Sequence, residues 1–145
     1  MTPPVRLFIA LPVASAVRKA LVEAQNVCRA DGVRAAWTPP ENLHLTLCFL
    51  GDTPGSRLSD YNDRLDDAAA DISPFHYEVR GAGTFGPARA PRVLWAGVPE
   101  TPEALNRLAA TVDARFGVEG ADHTRQPRRF HVTLGRLRGP QGRRI

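Results

Sequence analysis

The sequence predicts a single domain over residues 1–145, built of strands and helices, in which a βα…β unit occurs twice. Short apolar strand patterns alternate with amphipathic helical ones along the whole chain. The sequence also repeats itself at a shift of 87 residues without gaps: Pro12 falls on Pro99, Leu21 on Leu108, Pro40 on Pro127, His44 on His131, Thr46 on Thr133, Leu47 on Leu134 and Leu50 on Leu137. Phe8 falls on Trp95, which keeps an aromatic. These matches set strand on strand and helix on helix, so a duplicated unit folded about a pseudo-two-fold axis, with halves near residues 5–55 and 92–140, is the simplest account. At 145 residues and 43% hydrophobic, the chain is long enough to bury one core.

The elements follow from local pattern. Val5 to Leu11 reads as a strand that Pro12 ends, because proline fixes φ and lacks an N–H. Val13, Val17, Leu21, Ala24 and Cys28 recur at helical spacing before the stop at Gly32, and Cys28 reads as a small buried hydrophobe. Arg34 to Thr38 is a short strand. Leu43 to Leu50 is another, closed by Gly51 to Gly55. Leu58, Tyr61, Leu65, Ala68 and Ile72 mark a second helix. Phe75 to Gly83 reads as a strand and the Gly/Pro-rich stretch from Gly81 to Pro91 as a loop, followed by a strand from Val93 to Val98. Thr101 is expected to cap a third helix with Pro102 in its first position, a buried stripe of Leu105, Leu108, Val112 and Phe116, and an end at Gly117. Phe130 to Leu137 is the last clear strand.

Strand alternation turns the repeat into a site. In a strand, successive side chains point to opposite faces. Leu45, Leu47 and Phe49 therefore share one face, and His44, Thr46 and Cys48 the other. Val132 and Leu134 likewise oppose His131 and Thr133. The apolar sets are expected under helices, which leaves both His-x-Thr pairs on uncovered faces. Displacement at phosphorus needs a base for the nucleophile and an acid for the leaving oxygen, and imidazole, with a pKa near ~6.5, serves either role. The Thr46 and Thr133 hydroxyls lie on the histidine faces, placed to hydrogen-bond phosphate oxygens. Such an arrangement needs no metal, and the sequence offers no carboxylate cluster or H-x-x-x-H to hold one. One His-x-Thr alone is weak, because half-buried strands often carry both residues on a polar face; two in register carry the reading. Phe8 beside Ala10, and Trp95 beside Gly97, pair an aromatic with a small neighbour and so form base-stacking candidates, although either ring serves equally as groove floor. Trp37 reads as core or groove edge, His76 as a solvent-facing strand residue and His123 as a solvated loop position.

Charge is unevenly spread. Residues 1–122 carry a net −3, whereas residues 123–145 carry seven arginines and no acid. All but one of the 19 basic residues are arginine, the side chain suited to bidentate phosphate contacts. A solvated tail is the plain explanation, and attraction for a polyanion the functional one. No apolar run reaches the ~20 residues needed to span a bilayer, and the N-terminus lacks a signal-peptide pattern, so a cytoplasmic protein is expected. Two cysteines make neither a disulfide framework nor a zinc motif.

His44-Leu45-Thr46-Leu47 and His131-Val132-Thr133-Leu134 resemble the paired signatures of the two-histidine phosphoesterase superfamily. The flanking Arg6-Leu7-Phe8-Ile9-Ala10-Leu11-Pro12, Pro39-Pro40-Glu41-Asn42-Leu43-His44, Phe49-Leu50-Gly51 and Pro91-Arg92-Val93-Leu94-Trp95-Ala96-Gly97 are similar to its RNA 2′,3′-cyclic phosphodiesterase branch, also known as the 2′-5′ RNA ligases. The resemblance implies a bilobal α+β fold, with two antiparallel sheets lining a central cleft and helices packed outside. It implies hydrolysis of RNA ends or nucleotides carrying a 2′,3′-cyclic phosphate to the 2′-phosphate, with related reversible 2′-5′ ligation and no cofactor; a monomer is expected. By the same resemblance His131 accepts the proton of water, His44 donates one to the leaving 3′ oxygen, and Thr46, Thr133 and Arg136 bind phosphate. Relatives often read Pro-His where this chain has Phe130-His131. They also continue with further strands, whereas this sequence ends 11 residues after Leu134, so either a trimmed second lobe with an exposed strand edge or a truncated product is expected.

Other readings use the same residues. A phosphodiesterase for small cyclic phosphates or 2′-5′ oligonucleotides shares the chemistry. A non-catalytic RNA-binding module would use the basic C-terminal segment with Phe8 and Trp95, leaving both His-x-Thr pairs as coincidence. A metal-dependent hydrolase lacks the carboxylates it needs.

Overall fold

The computed structural model describes residues 3–116, 129–139 and 141. The fold is α+β, as expected. Its elements are strand β1 (Pro4–Pro12), helix α1 (Ser15–Ala30), β2 (Ala35–Trp37), β3 (His44–Pro54), α2 (Leu58–Ala70), β4 (Ala82–Phe85), β5 (Val93–Gly97), α3 (Glu103–Arg115) and β6 (His131–Leu137). Among the described residues, no helix is long and apolar enough to cross a membrane. His123 and Gly117 lie outside the described residues.

The chain divides into two compact units, the first made of Met1–Ala10, Thr46–Tyr77 and Glu100–Arg129, the second of Leu11–Leu45, Glu78–Pro99 and Phe130–Ile145. Strand β3 begins in the second and continues in the first.

In the first unit β1 lies beside β3. Helices α2 and α3 pack through Tyr61 and Phe116, whose rings meet edge to face at 5.0 Å. Arg64 lies over the Tyr61 ring at 5.4 Å and pairs with Asp60 at 3.0 Å. Ile9, Leu47, Cys48, Ala68, Leu105, Leu108 and Val112 are buried here.

In the second unit β6 is the central strand. It pairs antiparallel with β5 on one side, and on the other with β2 and with the first residues of β3; β4 completes the ladder on β5. Leu43, Leu45, Leu94, Ala96, Val132 and Leu134 form its buried face. Helix α1 contributes Leu21 and Gln25 to the interior. Ala24, expected on that stripe, is exposed and Cys28 only half-buried. Leu21 and Gln25 are four residues apart and so lie one above the other on the helix.

Three expectations are corrected by hydrogen bonding and burial. Phe75 to Gly81 forms no strand; β4 starts at Ala82 and runs to Phe85, inside the stretch expected to be a loop. Pro102, not Thr101, is the N-cap of α3, and no side chain caps that end. In β3 both Leu47 and Cys48 point inward, so Cys48 leaves the His44 face and Phe49 turns outward, 70% exposed. Two consecutive inward residues shift the alternation by one. The same pattern occurs in β6, where the burial sequence from His131 to Leu137 matches that from His44 to Leu50 residue for residue.

Candidate active site

Within β6 the shift has a visible cause. Leu94 of β5 opposes Gly135, but Trp95 opposes Thr133, which leaves Leu134 as an extra residue in the ladder. This is a β-bulge, and beyond it the side chains change phase. Leu134 and Gly135 both face the core. A Cβ on Gly135 would come within 3.2 Å of the Ala36 carbonyl and of the Trp37 ring, a tight approach that a side chain could make only if these neighbours gave way. Trp37, half-buried, lies over this glycine with Arg29 stacked on it at 5.4 Å, a structural position.

The bulge decides where Arg136 points. Three residues beyond Thr133, an unbroken strand would send it to the core face. Instead it opposes Val93, on the face shared by Trp95 and Thr133, and it is exposed.

The two histidines meet around one cross-strand pair. Leu45 opposes Val132, and both are 0% exposed. The residues on either side of a core-facing pair occupy the opposite face, so His44 and His131 share that face with Thr133. Antiparallel counting sets His44 opposite Thr133, with His131 two residues before it at the start of β6. Diagonal neighbours of this kind stand ~7–8 Å apart. The Nδ1–H of His44 donates to the carbonyl of Asn42 at 2.6 Å, which fixes the orientation of the ring.

His131 stands in an aromatic group. The Phe85 ring meets it edge to face at 4.8 Å, and Trp95 lies 6.3 Å away. Phe85 and Trp95 are 5.1 Å apart. The Trp95 indole lies across Gly83, where a Cβ would sit 2.4 Å from its ring, and passes 3.0 Å from the corresponding point on Gly97. The small residue beside the aromatic thus gives the indole room to lie along the sheet. Sequence reading missed Phe85, because the density of glycine and proline hid β4. The signal was the alternation Gly83-x-Phe85, which mirrors Trp95-x-Gly97.

Thr46 and Phe8 belong to the first unit. Thr46 is half-buried, as is Thr133. Phe8 is 48% exposed and its ring lies 6.1 Å from that of Phe49. His76 is exposed and outside any strand.

A sheet face that carries two strand-borne histidines and a threonine beside an aromatic floor is the candidate site, and the class of the protein follows from comparison with known proteins. Residues 11–95 match the family of LigT-like phosphoesterases. An RNA 2′,3′-cyclic phosphodiesterase of Methanothermobacter thermautotrophicus is 33% identical over 141 residues, covering 96% of this chain and 74% of that protein. One of Thermus thermophilus is 38% identical over 148 residues, covering 95% and 71%. For a third, from Geobacillus stearothermophilus, 33% identical over 129 residues, the match spans 89% of this chain but 41% of that protein. Among solved structures, a Thermus thermophilus protein superposes with a TM-score of 0.80 at 36% identity, covering 97% of this chain and 79% of that one. E. coli LigT in its apo form superposes at 0.70 with 25% identity, covering 97% and 80%. The chain belongs to the LigT-like phosphoesterase family.

Proposed function

We propose that this protein is an RNA 2′,3′-cyclic phosphodiesterase that opens a terminal cyclic phosphate to the 2′-phosphate by acid–base catalysis between two histidines. The observation that carries the reading is the placement of His44 and His131 diagonally across the Leu45–Val132 pair, on one face of the sheet. The relatives named as RNA 2′,3′-cyclic phosphodiesterases support the substrate class. A solved complex of E. coli LigT with 3′-AMP supports a nucleotide end as ligand.

In the proposed reaction His131 takes a proton from water as its oxygen attacks phosphorus. The bond from phosphorus to the 3′ oxygen breaks, and His44 delivers a proton to that oxygen. The 2′-phosphate remains on the RNA end, and proton exchange with solvent resets both imidazoles. Reversal with a 5′-hydroxyl end in place of water would be ligation. Thr46, Thr133 and Arg136 hold the non-bridging oxygens, where positioned donors are worth most as charge redistributes. Trp95 and Phe8 stack bases, and Phe85 backs Trp95. The 87-residue repeat is read as one duplicated unit in a single domain, acting as a cytoplasmic monomer without metal or other cofactor.

The test is turnover of an RNA oligonucleotide ending in a 2′,3′-cyclic phosphate, in EDTA, with wild type, His44→Ala and His131→Ala. Turnover in EDTA that falls by about 10² or more in each variant is expected for lost acid or base catalysis. Binding without turnover in wild type would sink the enzyme reading. Activity that returns only with added metal would sink the mechanism.

A further inference from the structure

Gln25 is buried to 3% exposure in α1, although an apolar side chain is cheaper to bury at such a place. Its Nε2 donates to the Leu134 carbonyl at 2.9 Å and to the Thr38 carbonyl at 2.9 Å. A primary amide carries two N–H groups diverging from one nitrogen, so one side chain serves both acceptors. Leu134 is the extra residue of the β6 bulge, and its carbonyl also accepts from the Thr38 N–H at 3.0 Å. The helix thus ties the end of β2 to the point where β6 changes phase. Neither a shorter amide nor an apolar isostere could make both bonds.

The repeat makes this arrangement one-sided. At the shift of 87 residues Gln25 corresponds to Val112, which has no hydrogen-bonding side chain, and Arg136 corresponds to Phe49. The amide accompanies the half whose outward residue after the phase change is an arginine.

We infer that Gln25 is a positioning residue: by holding the Leu134 bulge it keeps Arg136 on the face of His131 and Thr133, where the phosphate is bound. This rests on the proposed reading of Arg136 as a phosphate ligand. Gln25 itself touches neither substrate nor the reacting atoms; its effect reaches the site through strand phase.

The experiment is a double-mutant cycle with steady-state kinetics on the cyclic-phosphate RNA, using Gln25→Met, Arg136→Ala and the double variant. Gln25→Met keeps the side-chain length but removes both donors. It is expected to raise KM about tenfold, the scale of one lost charge-assisted hydrogen bond, with kcat within about twofold. In the Arg136→Ala background the same change should move KM by less than about twofold, because the two residues act as a unit. If Gln25→Met leaves KM unchanged while Arg136→Ala raises it, or if the two effects multiply, the inference is overturned and the reading of Arg136 stands. If Arg136→Ala leaves KM unchanged, the reading of Arg136 fails and the inference with it. Should Gln25→Met not fold, Gln25→Asn, one methylene shorter, replaces it in the cycle, with a rise of about threefold and the same non-additivity expected.

Discussion

Leu45 stands directly opposite Val132, and the two are equivalent residues of the 87-residue repeat. An antiparallel pair of equivalent residues has a local two-fold axis between them, so His44 and His131 leave that pair in opposite directions on the same face. The pair is therefore the pivot of the site as well as part of the core. Leu45→Ala removes a fully buried side chain and is expected to cost roughly 2–5 kcal/mol. The denaturant midpoint should fall with the slope m unchanged. A loss under about 1 kcal/mol would mean that the surroundings collapse onto the gap and that the pivot is not tightly packed.

Thr133 separates chemistry from stability. It is half-buried, between His44 on one neighbouring strand and Trp95 on the other. Thr133→Val keeps the shape and β-branching but removes the hydroxyl. A fall in kcat/KM of about 10²-fold is expected, the scale of one lost donor to developing charge. Thr133→Ser should recover most of it. Equal activity in the Val and Ser variants would remove the hydroxyl from the mechanism.

Much of this arrangement is legible in the sequence because it depends on short-range pattern. His44, Thr46, His131 and Thr133 lie at alternation spacing in their strands and correspond in pairs through the repeat, but β3 runs on to Pro54 through the stretch from Gly51 that reads as a turn. Phase beyond those strands' first residues is not legible. Gly135 turns inward because β6 takes up an extra residue at Leu134, Cys48 is buried at the matching place in β3, and neither position carries a local signal for it. Parity alone would have put Arg136 on the wrong face, so its assignment came from family resemblance, and the bulge supplies the physical reason. Gln25 was hidden for a related cause: a polar residue on a helix reads as exposed until its tertiary acceptors, Thr38 and Leu134, are known.

Tyr77 gives a prediction at alkaline pH. Burial pushes its phenol above the ordinary value of 10.0. As pH rises past 10.0 the unfolded chain releases this proton first, so the unfolded state binds fewer protons than the folded one and stability falls. Tyr77→Phe lacks that loss, and Tyr61, the other tyrosine, is present in both proteins. The unfolding free energy of wild type minus that of Tyr77→Phe should be flat below about pH 9 and decline above pH 10. A difference that stays constant up to pH 11 would show that the phenol is not shielded.

Gly83 tests whether the indole's place on the sheet matters for binding. Its Cβ position lies 2.4 Å from Trp95, and the opposed backbone of the β4–β5 ladder leaves little room to yield. Gly83→Ala must therefore displace the ring, and overpacking of this kind costs about 1–3 kcal/mol. Because Trp95 packs on Phe85, and Phe85 on His131, the displacement also reaches the imidazole's aromatic support. Lower thermal stability and a changed Trp emission are expected, together with a KM for cyclic-phosphate RNA raised by about tenfold, the scale of one lost base–aromatic stack. Trp95→Ala in the Gly83→Ala background should add little to that KM, since both changes remove the same surface. If Gly83→Ala alters emission but leaves KM untouched, the indole is a floor for the sheet and contributes nothing to binding.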